Sequence, residues 1–162
     1  MEESPEPPAS AAPTKPLNVG QTGTYGLMET DEYGENPKPA TTMQVTVKGA
    51  EYVTPADVDT TNKPKLGQYV RLTLTVKNVG QKEGEFSGYG MIKWENKGTA
   101  AQDATTLEGV GTGPELDTTY KPGQAVTGSL VLDVGAKGGT LSYWDEDTGT
   151  DEPAFTVTLP TS

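Results

Sequence analysis

Residues 70–80, VRLTLTVKNVG, alternate apolar and polar side chains and then reach Asn-Val-Gly. Successive side chains of a β-strand point to opposite faces, so this alternation predicts a strand with one face on a core and the other in water. One-sided burial is typical of antiparallel sheets. We expect the strand to end at Asn78 and Gly80, which tolerate turn conformations. The predicted core side chains are Val70, Leu72, Leu74 and Val76.

The same period of two recurs along the chain, and no stretch has a convincing helical repeat. Strong strands are predicted by three further sets of alternate apolar residues: Met43, Val45 and Val47; Val126, Leu130, Leu132 and Val134; and Phe155, Val157 and Leu159. Weaker strands are expected at 23–28, 89–96, 105–110 and 140–144. About seven to nine short strands predict an all-β protein, an antiparallel β-sandwich.

Turn residues separate these strands. Pro122 followed by Gly123 is the order that a type II turn requires. Gly138 and Gly139 lie between two predicted strands and indicate a hairpin. The ENKG sequence after Trp94 indicates another tight return.

Composition excludes several classes of function. The chain has 162 residues, no cysteine and no histidine, which excludes disulfides, cysteine-ligated zinc and Ser-His-Asp or Cys-His catalysis within it. Its formal net charge of −11 disfavours nucleic acid and anionic lipid surfaces as partners. We expect a monomer and no enzyme.

The sequence divides at its N-terminus. Residues 1–16 contain five prolines and no large apolar side chain, which predicts a disordered linker. Residues 17–160 are expected to form one domain. No apolar run approaches the ~18 residues of a membrane span. The acidic start, MEES, lacks the basic residues of a signal peptide, so either the protein is cytoplasmic or an export segment lies upstream.

The order of these segments resembles a known family. The features that match are Val19-Gly20, the strand ending in Lys77-Asn78-Val79-Gly80, the Lys121-Pro122-Gly123 turn, and the strand at 141–143. Across residues 17–159 the chain is similar to telokin-like, immunoglobulin-superfamily domains of secreted proteins and lipoproteins in Gram-positive bacteria. That family includes a mycobacterial immunoprotective extracellular protein. The resemblance implies an immunoglobulin-like sandwich, export, and a lipid anchor on a cysteine preceding the linker. It implies no catalytic residues.

The acidic segment WDEDTGTDEP is the candidate for a metal site. Asp145, Asp147, Asp151 and Glu152 offer the carboxylate oxygens that calcium prefers. However, Gly149 occupies the fifth position, where an EF-hand loop needs Asp or Asn. Two alternatives stay open for this segment: a solvated acidic hairpin or a weak calcium site.

Aromatic side chains are the candidates for partner binding, because exposed tryptophan and tyrosine anchor interfaces. Tyr33 lies in the charged turn DEYGEN, while Trp94 and Trp144 are each either core residues or partly exposed. Further tyrosines that would add to such a surface are Tyr89, Tyr120 and Tyr143.

Three functions remain. The first is a non-enzymatic, cell-surface, immunoglobulin-like module that binds a protein or a cell-envelope component. The second is a structural spacer with no ligand. The third is a carboxylate-dependent hydrolase, which requires a concave pocket holding a carboxyl group of raised pKa. No pair among the 23 acidic residues is singled out for that chemistry.

Overall fold

The computed structural model describes residues 16–58, 60–107 and 113–162. The predicted linker, apart from Pro16, therefore lies outside the described residues. Within them, no helix is long or apolar enough to span a bilayer. The strands are β1 (Thr22–Glu29), β2 (Lys38–Val53), β3 (Gln68–Asn78), β4 (Gly84–Phe86), β5 (Ile92–Asn96), β6 (Thr99–Asp103), β7 (Thr106–Leu107), β8 (Thr118–Tyr120), β9 (Ala125–Val134), β10 (Thr140–Tyr143) and β11 (Phe155–Thr158). Within the same described ranges, 3₁₀ turns cover Ala56–Val58 and Glu146–Thr148.

The strands form an antiparallel β-sandwich, as predicted. One sheet has the order β1-β2-β3-β9-β7 and the other the order β11-β10-β5-β6. A two-stranded ladder joins β4 and β8. Leu17, which precedes β1, forms an isolated parallel bridge to Val157 of β11. Its backbone N–H donates to Thr156 O, and its carbonyl accepts from Thr158 N.

The core lies between the two sheets and is built from the predicted alternate residues. Val70, Leu72, Leu74 and Val76 of β3 are buried in one cluster with Trp94, Leu141 and Val157 of the opposite sheet. Each buried aliphatic side chain contributes about 1.5–3 kcal/mol. Period-two alternation in β3 therefore supplies one wall of the core.

Strand β9 departs from the predicted pattern, because its second half is buried on both faces. Val131, predicted to face water, is 0% exposed and packs in a second cluster with Val53, Val58 and Tyr69. The segment before β3 covers this outer face. Asp133 anchors it, since its buried carboxylate accepts hydrogen bonds from the backbone N–H groups of Lys65 (2.6 Å) and Leu66 (3.0 Å).

Two of the three predicted turns are confirmed. Gln124 N donates to Lys121 O at 2.9 Å and Gly123 has φ of 86°, the geometry of a type II turn. The ENKG return joins β5 to β6, with Asn96 paired to Thr99.

The third prediction, a hairpin at Gly138 and Gly139, is wrong. β9 and β10 belong to different sheets, so this segment crosses the sandwich. A Cβ on Gly139 would lie 2.6 Å from Glu95 O and from the Trp94 indole nitrogen, so glycine is required for this close approach.

Strand β3 ends at Asn78 as predicted, but for another reason. Positive φ angles occur at Asn36 among the described non-glycine residues and not at Asn78. Asn78 is fully buried, and its side chain forms four hydrogen bonds instead of adopting a turn conformation.

The weaker strands are found with altered bounds. The strand predicted at 89–96 begins at Ile92, because Gly88–Met91 form a turn in which Met91 N donates to Gly88 O. The strand predicted at 105–110 is described over Thr106–Leu107, and its remainder lies outside the described residues. Short strands β4, β6 and β8 were not predicted, because each has too few apolar residues to show a period.

Candidate functional site

The acidic segment leaves β10 at one end of the sandwich. Trp144 N donates to Met91 O at 2.8 Å, which fixes the segment against the turn before β5. Asp145 then caps the Glu146–Thr148 turn, because its Oδ1 accepts from Asp147 N at 2.9 Å. Gly149, with φ of 75°, ends the turn in the left-handed conformation that glycine adopts readily. The local sequence Asp-x-x-x-Gly therefore explains this conformation.

The Asp145 carboxyl group has a perturbed pKa. Burial raises its pKa, and the neighbouring carboxylates of Asp147 and Glu146 raise it further. Hydrogen bonds from Asp147 N and from the Tyr143 hydroxyl oppose this effect. The Tyr143 hydroxyl donates to Asp145 Oδ2 at 3.2 Å, so both carboxylate oxygens accept a hydrogen bond from the protein.

Two clefts adjoin at this end of the molecule. The Trp144 cleft has a volume of about 330 Å³ and is lined by Gly90, Met91, Lys93, Trp144, Asp145, Glu146, Thr150, Asp151 and Glu152. The Tyr143 cleft has a volume of about 210 Å³ and is lined by Glu85, Ser87, Met91, Tyr143, Trp144, Asp145, Glu146 and Asp147. Four residues line both clefts and therefore lie between them: Met91, Trp144, Asp145 and Glu146.

The Trp144 cleft combines an aromatic ring with an acidic rim. Trp144 is partly exposed, and its indole nitrogen donates to Ser142 Oγ at 2.8 Å, which holds the ring in place. Lys93 Nζ lies 5.9 Å from the centroid of that ring, within the range of a cation–π interaction. Among the described lining residues Lys93 is the one cation, against the carboxylates of Asp145, Glu146, Asp151 and Glu152.

The four residues proposed for calcium are divided between the clefts. Asp151 and Glu152 line the Trp144 cleft, Asp147 lines the Tyr143 cleft, and Asp145 borders both. In the described part of the chain, no group of three or more acidic side chains is arranged to hold a metal ion.

The aromatic candidates lie in three different environments. Tyr33 is 77% exposed in the loop between β1 and β2, where the Asp31 carboxylate accepts from the backbone N–H groups of Tyr33 and Glu35. Trp144 lines the cleft. Trp94 is 2% exposed, so of its two alternatives it takes the core position and is not an interaction residue at the surface: its ring packs inside the sandwich and its indole nitrogen donates to Gly138 O.

The remaining tyrosines also separate by burial. Tyr120 and Tyr143 lie in the core, whereas Tyr89 is 53% exposed beside Gly90 of the cleft. Asp117 holds this loop, since its carboxylate accepts from the backbone N–H groups of Gly88 and Tyr89. Sequence reasoning missed Met91 and Lys93 as cleft residues, and no sequence motif marks them.

The comparisons with known proteins concern the family and the fold. The family described as "Domain of unknown function (DUF4352)" matches residues 35–153. The search of curated proteins gave no match. Two solved structures are similar. One is MPT63, described as a secreted protein from Mycobacterium tuberculosis, with 14% identity and a TM-score of 0.53 over 89% of this chain and 98% of that one. The other is the yjhA protein from Bacillus subtilis, with 18% identity and a TM-score of 0.54 over 88% and 98%.

Proposed function

Because this chain belongs to the DUF4352 family, whose function is unknown, its function has to be inferred from its own surface, and we propose a non-enzymatic extracellular binding module. In this proposal the immunoglobulin-like sandwich binds a protein or cell-envelope partner through the Trp144 cleft. The observation that carries the proposal is Trp144 itself: an aromatic ring, partly exposed, fixed by a hydrogen bond at the rim of a cleft. Rings of this kind commonly dominate binding energy at interfaces.

The surface around the ring favours binding over a spacer role. A spacer needs no apolar side chains in water, whereas Met91 is 37% exposed in the cleft and Tyr89 is exposed next to Gly90. Both precede β5 on a loop held by the Asp117 carboxylate, so their positions are set before a partner arrives. Preorganised apolar groups reduce the entropy lost on binding.

An extracellular location with a lipid anchor is part of the same proposal. The similarity to MPT63, a secreted protein, supports export. The Pro-, Ala- and Ser-rich composition of residues 1–16 suits a tether between an anchored cysteine upstream and the domain. Metabolic labelling of native cells with an alkyne fatty acid tests this: we expect label on the full-length protein, and its absence would contradict the anchor.

A pull-down with defined variants tests the binding function. Immobilised protein is incubated with Gram-positive cell-envelope fractions, and the retained components are compared between wild type and Trp144→Ala. We expect the variant to lose the specific component. Val19→Ala, which removes an exposed apolar side chain outside the clefts described, is the matched control and should retain it. If the component is lost only with Tyr33→Ala, binding would be assigned to the β1–β2 loop instead.

One observation bears on the hydrolase alternative. Asp145 is a carboxyl of raised pKa that lines a cleft, as a general acid would. Its oxygens, however, already accept hydrogen bonds from Asp147 N and the Tyr143 hydroxyl, which assigns it a capping role. Turnover of aryl glycoside or ester substrates by wild type, abolished in Asp145→Asn, would overturn our proposal.

A further inference from the structure

We propose that the Trp144 cleft binds the basic side chain, lysine or arginine, of a partner protein. The inference rests on the proposed function and specifies its ligand chemistry. It is carried by the juxtaposition of a fixed indole ring with four carboxylates in a cleft that contains one lysine.

The charge around the cleft is unbalanced in favour of a cation. Asp145 and Glu146 line the cleft at the start of the 3₁₀ turn, and Asp151 and Glu152 lie in the chain between that turn and β11. Lys93 forms no ion pair within 4 Å among the described residues and interacts with the indole ring instead. An incoming cation therefore meets unneutralised carboxylates. The net charge of −11 further attracts a basic partner from a distance.

The apolar part of the cleft suits the stem of the same side chain. Lysine and arginine pack their methylene groups on apolar surface while the charged end stays near polar groups. Met91 and the Trp144 ring supply that surface, and the ring face also attracts the cationic end. Lys93 Nζ lies 5.9 Å from the centroid of this ring, within the range of a cation–π interaction.

The hydrogen-bonding groups of the cleft favour a cation over a neutral sugar. The indole nitrogen donates to Ser142 Oγ, so it is not free to donate to a sugar hydroxyl. The remaining polar groups are mainly carboxylates, which only accept hydrogen bonds when ionised. Ammonium and guanidinium groups only donate, so they complement this lining. A volume of about 330 Å³ accommodates one long side chain rather than a whole peptide segment.

Defined peptides and NMR test the inference. Acetylated, amidated Gly-Ser peptides carrying two lysines, two arginines, two N-acetyl-lysines or two glutamates are titrated into ¹⁵N-labelled protein. The indole N–H signal of Trp144 reports on the cleft, and that of buried Trp94 is the internal control. We expect saturable shifts of the Trp144 signal with the lysine and arginine peptides, and none with the neutral or acidic ones. An equal response to N-acetyl-lysine would overturn the assignment.

Matched variants separate the cleft from general attraction to an acidic protein. Asp151→Asn with Glu152→Gln removes two charges from the rim, and we expect the dissociation constant for the lysine peptide to rise about three- to tenfold. Glu32→Gln with Glu35→Gln removes two charges from exposed residues that line neither cleft, and should change it less than twofold. If both double variants weaken peptide binding equally, the peptide is attracted by the overall negative charge, and the proposed site is contradicted.

The two proposals fail in different ways. If Trp144→Ala abolishes binding of the envelope component while basic peptides do not bind, the ligand class is wrong and the binding function stands. If basic peptides bind in the cleft but no envelope component is retained, the ligand class stands and the envelope partner is wrong.

Discussion

Single residues show where a local interpretation fails. Asn78 was expected to end β3 because of its turn preference, yet it is a buried hub for four hydrogen bonds. Its Oδ1 accepts from Thr41 Oγ1 (2.7 Å) and Gly80 N (2.9 Å), and its Nδ2 donates to the carbonyls of Lys82 (2.7 Å) and Tyr120 (2.8 Å). The side-chain amide thus donates twice and accepts twice, so its hydrogen-bonding groups are satisfied, as buried polar groups require.

Asn78→Asp is therefore expected to be strongly destabilising. The substitution replaces the two N–H donors with a second oxygen facing the carbonyls of Lys82 and Tyr120, at a cost of about 3 kcal/mol or more. Thr41→Val removes one bond and leaves Gly80 N on Asn78 Oδ1, so its cost is about 1 kcal/mol. Urea denaturation of both variants gives these free energies. Equal losses of unfolding free energy in the two variants would contradict the role of Asn78 as the partner of four buried groups.

Asp145 and Asp31 are expected to have different pKa values, although both are aspartates. Burial raises the pKa of Asp145, while hydrogen bonds from Glu35 N and the Asn36 amide lower that of Asp31. On acidification Asp145 should take up its proton first. Its contribution to stability rises as pH falls through its folded pKa, whereas that of Asp31 is lost as pH falls through its own.

A ¹³C NMR titration of the carboxyl groups measures both values. Asp145→Asn identifies the signal of Asp145 by its disappearance. Titration of Asp31 at a higher pH than Asp145 would contradict the burial argument.

Among the strands, β9 differs most from its own sequence pattern. Alternation places Val126 on the core face and Val131 on the water face, but Val131 is fully buried and Val126 only partly. The segment before β3 covers the outer face of β9, held by the buried carboxylate of Asp133. Whether a strand face is exposed thus depends on segments that are distant in the sequence.

Valine truncations in β9 test this reversal. Val131→Ala should destabilise the protein by about 2 kcal/mol, because it removes two buried methyl groups and leaves a cavity. Val126→Ala removes the same atoms from a partly exposed site and should cost less than about 1 kcal/mol. Chemical denaturation of both variants provides the comparison, and a larger loss at Val126 would refute the assignment of faces.

For the acidic segment, a calcium titration distinguishes the two alternatives. Because Asp145 oxygens already accept hydrogen bonds and Asp147 lines a different cleft from Asp151 and Glu152, we expect about 5 mM calcium to change Tm by less than about 1 °C. Magnesium at the same concentration is the control. A calcium-specific rise of about 2–4 °C would support the weak calcium site.

For the molecule as a whole, the proposed domain boundary lies just before Leu17. Leu17 is buried in the core, and its backbone makes two hydrogen bonds to the chain around β11. Residues 17–160 are proposed as the folding unit, and residues 1–16 as a linker outside it.

Two truncations test this boundary. A chain starting at Pro16 should keep the Tm of the full chain, and we expect it to elute as a monomer in size-exclusion chromatography. A chain starting at Val19 loses Leu17, worth about 2–3 kcal/mol, and its Tm should fall by about 4–12 °C. Equal Tm values for the two truncations would move the boundary towards β1.

Much of the fold was predictable because period-two alternation and turn residues act within a few positions of one another. The core residues of β2, β3 and β11, the type II turn at Pro122-Gly123 and the β5–β6 return all follow from such local signals. The prediction of a hairpin at Gly138–Gly139 was wrong because local signals do not show which strands pair. Two strands adjacent in sequence look the same whether they pair or enter different sheets.

The site was predictable only in its parts. Sequence indicated that Trp144 and the acidic residues after it were candidates, since aromatic and carboxylate side chains carry recognisable chemistry. It did not indicate that Met91 and Lys93 complete the Trp144 cleft or that Asp147 lies in the neighbouring cleft, and it left open whether Trp94 or Trp144 is buried in the core. Side-chain direction along a strand is a property of that strand, so alternation can be read directly from the residues. Which strands pair, what covers each face and which loops meet depend on contacts between distant segments, and these arise only when the two sheets pack.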